Sequence, residues 1–179
     1  MTVRTLIRKA TTGDVPALVD LLHAAYAEYR NRLDPPSGAF RESLASIGDL
    51  RNQQAALVAE QAGHLIGCVF YDLRVDCYPA TCWMNRLAVV PAARRRGIGA
   101  QLVMGVEAAA WAAGARAVRL GVRIPLADNH RFYMALGYRI VDARAHEGYE
   151  FPTWYLMEKR RGSQPTPQFD VKVVPYDVR

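Results

Sequence analysis

Residues 85–102 read NRLAVVPAARRRGIGAQL, and much of the fold follows from this stretch. Residues 83–90 are mostly apolar and partly β-branched, which predicts a buried strand that ends at Pro91. After Gly99, apolar residues recur at helical spacing at positions 102, 103, 106, 109 and 110, which predicts a helix that stops near Gly114. We therefore expect a strand, a turn and a helix in direct succession.

The turn between that strand and helix holds three consecutive arginines, 94–96, followed by Gly97 and Gly99. Glycine allows a tight turn and lets a ligand approach the backbone amides. A helix N-terminus adds unpaired N–H groups and a partial positive charge. Together these features predict a site for a phosphate or pyrophosphate. A solvated basic turn that merely caps an ordinary helix is the alternative.

The spacing of the turn separates it from two other phosphate-binding loops. A Walker A loop requires Gly-Lys-Ser or Gly-Lys-Thr, which is absent, and Leu102 stands where the dinucleotide fingerprint has its third glycine. What remains is Arg94-x-x-Gly97-x-Gly99, which resembles the Q/R-x-x-G-x-G/A pyrophosphate loop of the GNAT superfamily of acyl-CoA N-acyltransferases. The preceding residues 87–91 resemble the strand that these proteins place before the loop.

A second motif resembles the same family. Residues 128–138 read DNHRFYMALGY. This stretch is similar to the C-terminal motif of the family, in which an Asn opens a short helix and an aromatic-Tyr pair precedes Leu-Gly-aromatic. The two motifs occur in the order and at the separation usual for the family, and the resemblance covers roughly residues 3–160.

The resemblance implies a mixed α/β fold with a mostly antiparallel central sheet of about seven strands, splayed central parallel strands and about four flanking helices. Residues 1–160 would form this N-acetyltransferase domain. Residues 161–179 are a C-terminal tail outside the resemblance, in which apolar residues alternate with polar ones. That alternation predicts an extra strand or a contact in a homodimer.

The resemblance also implies the activity: an N-acetyltransferase that moves an acetyl group from acetyl-CoA, its co-substrate, to an amine of a small molecule or protein by direct attack in a ternary complex. The residues that match the cofactor-binding motifs lie on the strand, the turn and the short helix. They are Leu87, Ala88, Val89, Arg94, Arg95, Arg96, Gly97, Ile98, Gly99, Ala100, Asn129 and Tyr133.

Tyr133 matches the general acid of the family, and a backbone N–H of Leu87 or Ala88 would stabilise charge on the thioester oxygen. Many members carry a Glu where this chain has Asn85, which cannot ionise, so a water chain ordered by Asn85 is the predicted route for the amine proton. The side-chain alternatives for the base are Asp72, Asp76, His146, Glu147 and Glu150. The missing Glu also leaves a non-catalytic acyl-CoA-binding regulatory domain as the alternative function.

The resemblance also implies that the acceptor site lies under the loop between the first two helices, the second of which is predicted over residues 40–51. Candidate acceptor contacts there are Tyr26, Tyr29, Arg30, Arg32 and Phe40, although amphipathic packing and a solvated rim are the favoured explanation for each of them singly.

Composition narrows the remaining classes. The net charge of +6 over 179 residues suits a polyanionic cofactor, and no aromatic-basic motif indicates nucleic-acid binding. No apolar run of about 18 residues and no leader pattern occur, so we expect a cytoplasmic protein without a membrane span. The sequence has three cysteines in apolar, strand-like segments, which favours reduced buried thiols and no metal site: Cys68, Cys77 and Cys82.

Overall fold

A computed structural model of the protein describes residues 4–76 and 78–162. The elements in this part of the chain are, in order, β1 Leu6–Lys9, α1 Val15–Tyr26, α2 Leu44–Gln53, β2 Ala55–Gln61, β3 His64–Arg74, β4 Thr81–Val89, α3 Ile98–Ala112, β5 Ala117–Arg123, α4 Ala127–Ala135, β6 Arg139–Arg144 and β7 Trp154–Arg160. Cys77 and residues 163–179 lie outside the described residues, so the predicted tail strand or dimer contact stays a prediction.

The seven strands form one sheet in the order β1-β2-β3-β4-β5-β7-β6. Every neighbouring pair is antiparallel except β4 and β5, which run parallel. A parallel pair needs a crossover, and α3 supplies it. The predicted mixed α/β fold, mostly antiparallel with a central parallel pair and four helices, is confirmed.

Both faces of the central strands are buried because helices cover both sides of the sheet. Successive side chains of a strand point to opposite faces. In β3, Val69 and Tyr71 therefore join the core beneath α3, while Cys68 and Phe70 join the core beneath α1 and α2. Because these strands are buried on both faces, the middle of the sequence is nearly continuously apolar and does not alternate between apolar and polar residues.

The predicted start of the second helix is shifted in the structure. The second helix begins at Leu44 rather than near residue 40, because the Oγ of Ser43 accepts the N–H of Ser46 at 3.2 Å and starts the helix there. Residues Gly38–Arg41 form a separate 3₁₀ turn. Thr12–Asp14 is also a 3₁₀ turn, which precedes α1, and α4 begins at Ala127, two residues before Asn129. The first strand is described from Leu6 onward.

No helix in residues 4–76 and 78–162 is long and apolar enough to cross a membrane.

Candidate active site

A cleft opens where the two parallel strands separate. β4 and β5 pair only from Thr81 with Ala117 to Trp83 with Arg119, and they diverge toward their carboxyl ends. The resulting cleft has a volume of about 870 Å³ and is bordered by α1, the N-terminus of α3 and α4. The predicted splay of the central strands is therefore present.

The predicted site residues converge on this cleft. Those that line it are Asn85, Leu87, Ala88, Val89, Arg94, Arg95, Gly97, Ile98, Gly99, Ala100, Asn129 and Tyr133. Arg96 is not among the lining residues, and its guanidinium lies 3.4 Å from Oε1 of Gln61.

The central strand carries a β-bulge at the cleft. Cys68 pairs with Ala88 and Phe70 pairs with Asn85, so two residues of β4 stand opposite one residue of β3. The bulged Arg86 has a φ of 49°, in the left-handed region, and its carbonyl accepts from the Sγ of Cys68 at 3.7 Å. Because the C=O and N–H of a trans peptide point in opposite directions, the next N–H, that of Leu87, points away from Cys68.

A contact from α1 reaches the same bulge. The hydroxyl of Tyr26 donates to the carbonyl of Leu87 at 3.4 Å. This contact and the one from Cys68 hold two consecutive peptide planes of β4, so the bulge has a defined orientation.

The arginine-glycine turn presents backbone amides at the edge of the cleft. Gly97 has a φ of 76°, a conformation that favours glycine, and α3 begins directly after it at Ile98. The first N–H groups of a helix have no partner within the helix, so the amides of residues 98–100 are available to an anion. The first backbone bond of the helix runs from Gln101 N–H to the carbonyl of Gly97 at 3.0 Å.

The side chain of Arg94 holds this turn against the rest of the protein. Its Nε donates to the carbonyl of Val89 at 3.0 Å, and its Nη2 donates to the carbonyl of Ala25 at 2.7 Å. Its Nη1 lies 2.5 Å from the carboxylate of Glu28. These bonds tie the turn to β4 and to the end of α1, so this arginine positions the amides of the turn.

Tyr133 lies on α4 at the cleft and is 8% exposed. Burial raises the pKa of its phenol well above the ordinary value, and the phenols of Tyr26 and Tyr29 raise it further. The nearby side chain of Asn129 is a hydrogen-bond partner of Tyr29. Tyr133 therefore stays protonated across the neutral range and holds a proton that it can donate.

Asn85 lies in a polar network that the sequence analysis did not find. Its Nδ2 donates to Gln54 at 3.0 Å, and its Oδ1 accepts from Nη1 of Arg86 at 3.1 Å. Arg86 in turn contacts Oε1 of Glu42 at 2.5 Å, and Oε2 of Glu42 accepts from Ser46 at 2.6 Å. An amide has two N–H groups and two lone pairs, so Asn85 retains one of each for water.

The five alternative bases stay outside the cleft lining. Asp72 is paired with Arg74 at 3.0 Å, opposite Trp83 in the register and therefore before the strands diverge. The pKa of His146 is lowered by burial and by the charge of Arg123, and its Nδ1 contacts the hydroxyl of Thr153. The three others are exposed: Asp76, Glu147 and Glu150.

Three segments meet at the end of the cleft beside β5. Nη1 of Arg123 donates to the carbonyl of Pro35 at 2.8 Å, and Nη2 donates to that of Asp34 at 2.5 Å. The hydroxyl of Tyr149 donates to the carboxylate of Asp34. The loop after α1, the end of β5 and the loop before β7 are thereby joined. The sequence analysis missed this cluster because no local pattern connects its members.

Two of the five predicted acceptor contacts, Tyr26 and Tyr29, line the cleft. The other three do not, and the guanidinium of Arg30 instead stacks on the ring of Phe40 with 5.2 Å between guanidinium carbon and ring centroid. That stacking is a packing role.

A splayed parallel pair, a bulge and an arginine-glycine turn at a helix N-terminus agree with the resemblance seen in the sequence. The sequence model of the acetyltransferase (GNAT) family matches residues 15–138. The chain belongs to the GNAT family. Within this family, the aminoalkylphosphonate N-acetyltransferase of Salmonella typhimurium is 32% identical over 137 residues, which cover 74% of this chain and 84% of the relative.

Solved GNAT structures share the fold. The PaiA N-acetyltransferase of Thermoplasma acidophilum, solved in complex with coenzyme A, matches 88% of this chain and 99% of its own with a TM-score of 0.71 at 19% identity. YncA of Salmonella typhimurium, solved with acetyl-CoA, matches 92% of this chain and 98% of its own with a TM-score of 0.66 at 18% identity. The present GNAT protein is an acetyl-CoA-dependent N-acetyltransferase, as predicted.

The described part of this GNAT protein offers few side chains that could support metal-dependent or thiol-based catalysis. Residues 4–76 and 78–162 contain no cluster of three or more His, Cys, Asp or Glu that could hold a metal ion. Cys68 and Cys82 are free and buried, and burial raises the pKa of each thiol to about 12. Both thiols are therefore protonated and unreactive at neutral pH.

Proposed function

We propose that this enzyme transfers the acetyl group of acetyl-CoA directly to a primary amine, with both substrates bound at once and no covalent enzyme intermediate. The observation that carries the proposal is the cleft between β4 and β5, which is lined both by the arginine-glycine turn and by the loop after α1. Because the bulge lies in the same cleft, a cofactor held at the turn and an amine held near the loop can meet there.

The residues at the turn fit acetyl-CoA. The amides of residues 98–100, the left-handed Gly97 and the side chain of Arg95 would hold the pyrophosphate, while Arg94 keeps the turn in place. The edge of β4 at residues 87–89, which is not paired with β5, would bind the amide-containing arm, and Asn129 would face it from α4. When bound, acetyl-CoA supplies the activated acetyl thioester.

The chain's own groups at the bulge then have distinct tasks. The N–H of Leu87, directed away from Cys68, donates to the oxygen on which negative charge develops. Tyr133 donates a proton to the departing sulfur. The amine, with an ordinary pKa of about 10, loses its proton to water held by the free hydrogen-bonding positions of Asn85.

We propose a small amine as the acceptor, with a protein amine as the alternative. The name of the Salmonella relative, an aminoalkylphosphonate N-acetyltransferase, supports a small amine that also carries an anionic group. The arginine content of the cleft suits such a molecule.

The test is thiol release from acetyl-CoA with an amine panel of aminoalkylphosphonates, amino acids, polyamines, aminoglycosides and peptides. We expect release with one acceptor class, acetylated product by mass spectrometry, and intersecting initial-rate plots that indicate a ternary complex. Parallel plots, or acetyl bound to the protein after incubation without amine, would contradict direct transfer.

The turn has a specific expected role that a pair of glycine variants can isolate. Gly97→Ala is expected to raise KM for acetyl-CoA about tenfold, because a left-handed alanine costs about 1–2 kcal/mol and the turn relaxes away from its amide-presenting shape. Gly114→Ala is the matched control: its φ of 85° imposes the same backbone cost at the other end of α3. Equal KM values for acetyl-CoA in the two variants would show that the turn does not bind the cofactor.

A further inference from the structure

The charges of the cleft are unevenly paired. Five arginines line it, and three of these are bound to carboxylates: Arg86 to Glu42, Arg94 to Glu28 and Arg131 to Asp128. The other two, Arg95 and Arg123, have no carboxylate partner among residues 4–76 and 78–162. Arg95 lies in the turn assigned to the pyrophosphate. Arg123 ends β5 and lies against the loop after α1, on the acceptor side.

The groups that accept hydrogen bonds from Arg123 are weaker acceptors than a guanidinium can bind. Its two Nη groups donate to neutral carbonyls, those of Asp34 and Pro35, and its Nε is buried with no hydrogen-bond partner. The carboxylate of Asp34, whose charge acts on Arg123, instead accepts from Tyr149. A charged oxyanion is a stronger acceptor than a carbonyl, and the guanidinium binds one through two parallel N–H groups.

We propose that Arg123 binds an oxyanion on the acceptor amine, a phosphonate or a carboxylate, and so selects anionic amines. The proposal rests on the proposed acetyl transfer and names the acceptor class for it. The anion replaces at least one of the loop carbonyls on Arg123, which couples acceptor binding to the position of residues 34–35. His146 lies near Arg123, and burial and the positive charge of Arg123 lower the pKa of its imidazole. His146 is therefore neutral near pH 7, so the guanidinium of Arg123 is the charged partner for the anion.

The kinetic test compares three primary amines of similar length: 2-aminoethylphosphonate, 3-aminopropanoate and the uncharged 3-aminopropan-1-ol. The wild-type enzyme is expected to prefer the two anionic amines. Arg123→Gln is expected to raise KM for them about 10- to 100-fold, with kcat and the alcohol nearly unchanged. Arg123→Lys keeps the charge without the paired donors and is expected to fall between.

The matched control is Tyr149→Phe, which removes the neighbouring contact to Asp34 and keeps the guanidinium. It is expected to affect the charged and uncharged amines equally. If Arg123→Gln also affects all three amines equally, Arg123 only fastens the loop and the proposal is wrong. A wild-type enzyme that acetylates the alcohol as well as the anionic amines overturns it too.

Calorimetry with ethylphosphonate, which has no amine, separates this proposal from the proposed function. In the presence of CoA, the wild-type enzyme is expected to bind ethylphosphonate and Arg123→Gln to lose that binding. That loss supports the anion site even if no amine in the panel is acetylated. Absence of acetylation would count against the proposed function alone. Absence of binding to the wild-type enzyme, or binding unchanged in Arg123→Gln, contradicts the anion site.

Discussion

Tyr133→Phe is expected to lower kcat by about 100-fold or more, while KM for acetyl-CoA changes little, because a positioned general acid contributes about 10²- to 10⁴-fold. The substitution removes only a hydroxyl, and the ring keeps its edge-to-face contacts with Phe132 and Tyr138 at 5.0 and 5.7 Å between centroids. Steady-state kinetics with saturating amine measure the effect, and the melting temperature checks the fold.

Tyr138→Phe is the matched control for that variant. Tyr138 is a second buried tyrosine, 1% exposed and in ring contact with Tyr133, but it does not line the cleft. We expect its kcat to equal that of the wild type. An equal loss in both variants would mean that the packing of the aromatic cluster, and not proton donation, supports turnover.

The pH dependence follows from the direction of the pKa shift. Because burial raises the pKa of Tyr133 above the ordinary value of about 10, the proton stays on the phenol through pH 10. With saturating amine, kcat of the wild type is therefore expected to show no decline between pH 7 and about pH 10. A declining limb in this range that disappears in Tyr133→Phe would show that the pKa is not raised.

Arg86→Gln is expected to lower the free energy of unfolding by about 3 kcal/mol, because it removes the guanidinium from a buried carboxylate. The side chain of Glu42 is 6% exposed and, among the residues that the structure describes, would keep only Ser46 as a partner. Urea denaturation measures the change. The double variant Glu42→Gln/Arg86→Gln is expected to recover part of the loss, since neither position then leaves an unpaired charge behind.

An exposed pair provides the comparison. Arg74 and Asp72 also form an ion pair, but their side chains are 53% and 32% exposed, so Arg74→Gln is expected to cost less than about 0.5 kcal/mol. If Arg86→Gln costs no more than Arg74→Gln, the pair with Glu42 does not stabilise the bulge of the central strand.

The strand, the arginine-glycine turn and α3 could be predicted because their signals are local. Proline ends the strand near the position expected, Gly97 needs its left-handed φ, and apolar spacing marks the helix. The start of the second helix was predicted too early because residues 38–41 form a 3₁₀ turn that apolar spacing does not separate from an α-helix. The capping serine, Ser43, is the signal that locates it.

The sequence by itself indicated the family and the fold, and it marked a candidate cofactor loop and a candidate acid, Tyr133, because the two motifs that carry the resemblance each consist of residues close together in the chain. Only the tertiary structure decided which polar groups meet. Arg86 reaches Glu42 across 44 residues, and Arg123 reaches Asp34 across 89. Such contacts depend on how helices and loops pack around the sheet. The sequence around a charged residue does not indicate which distant residue will become its partner.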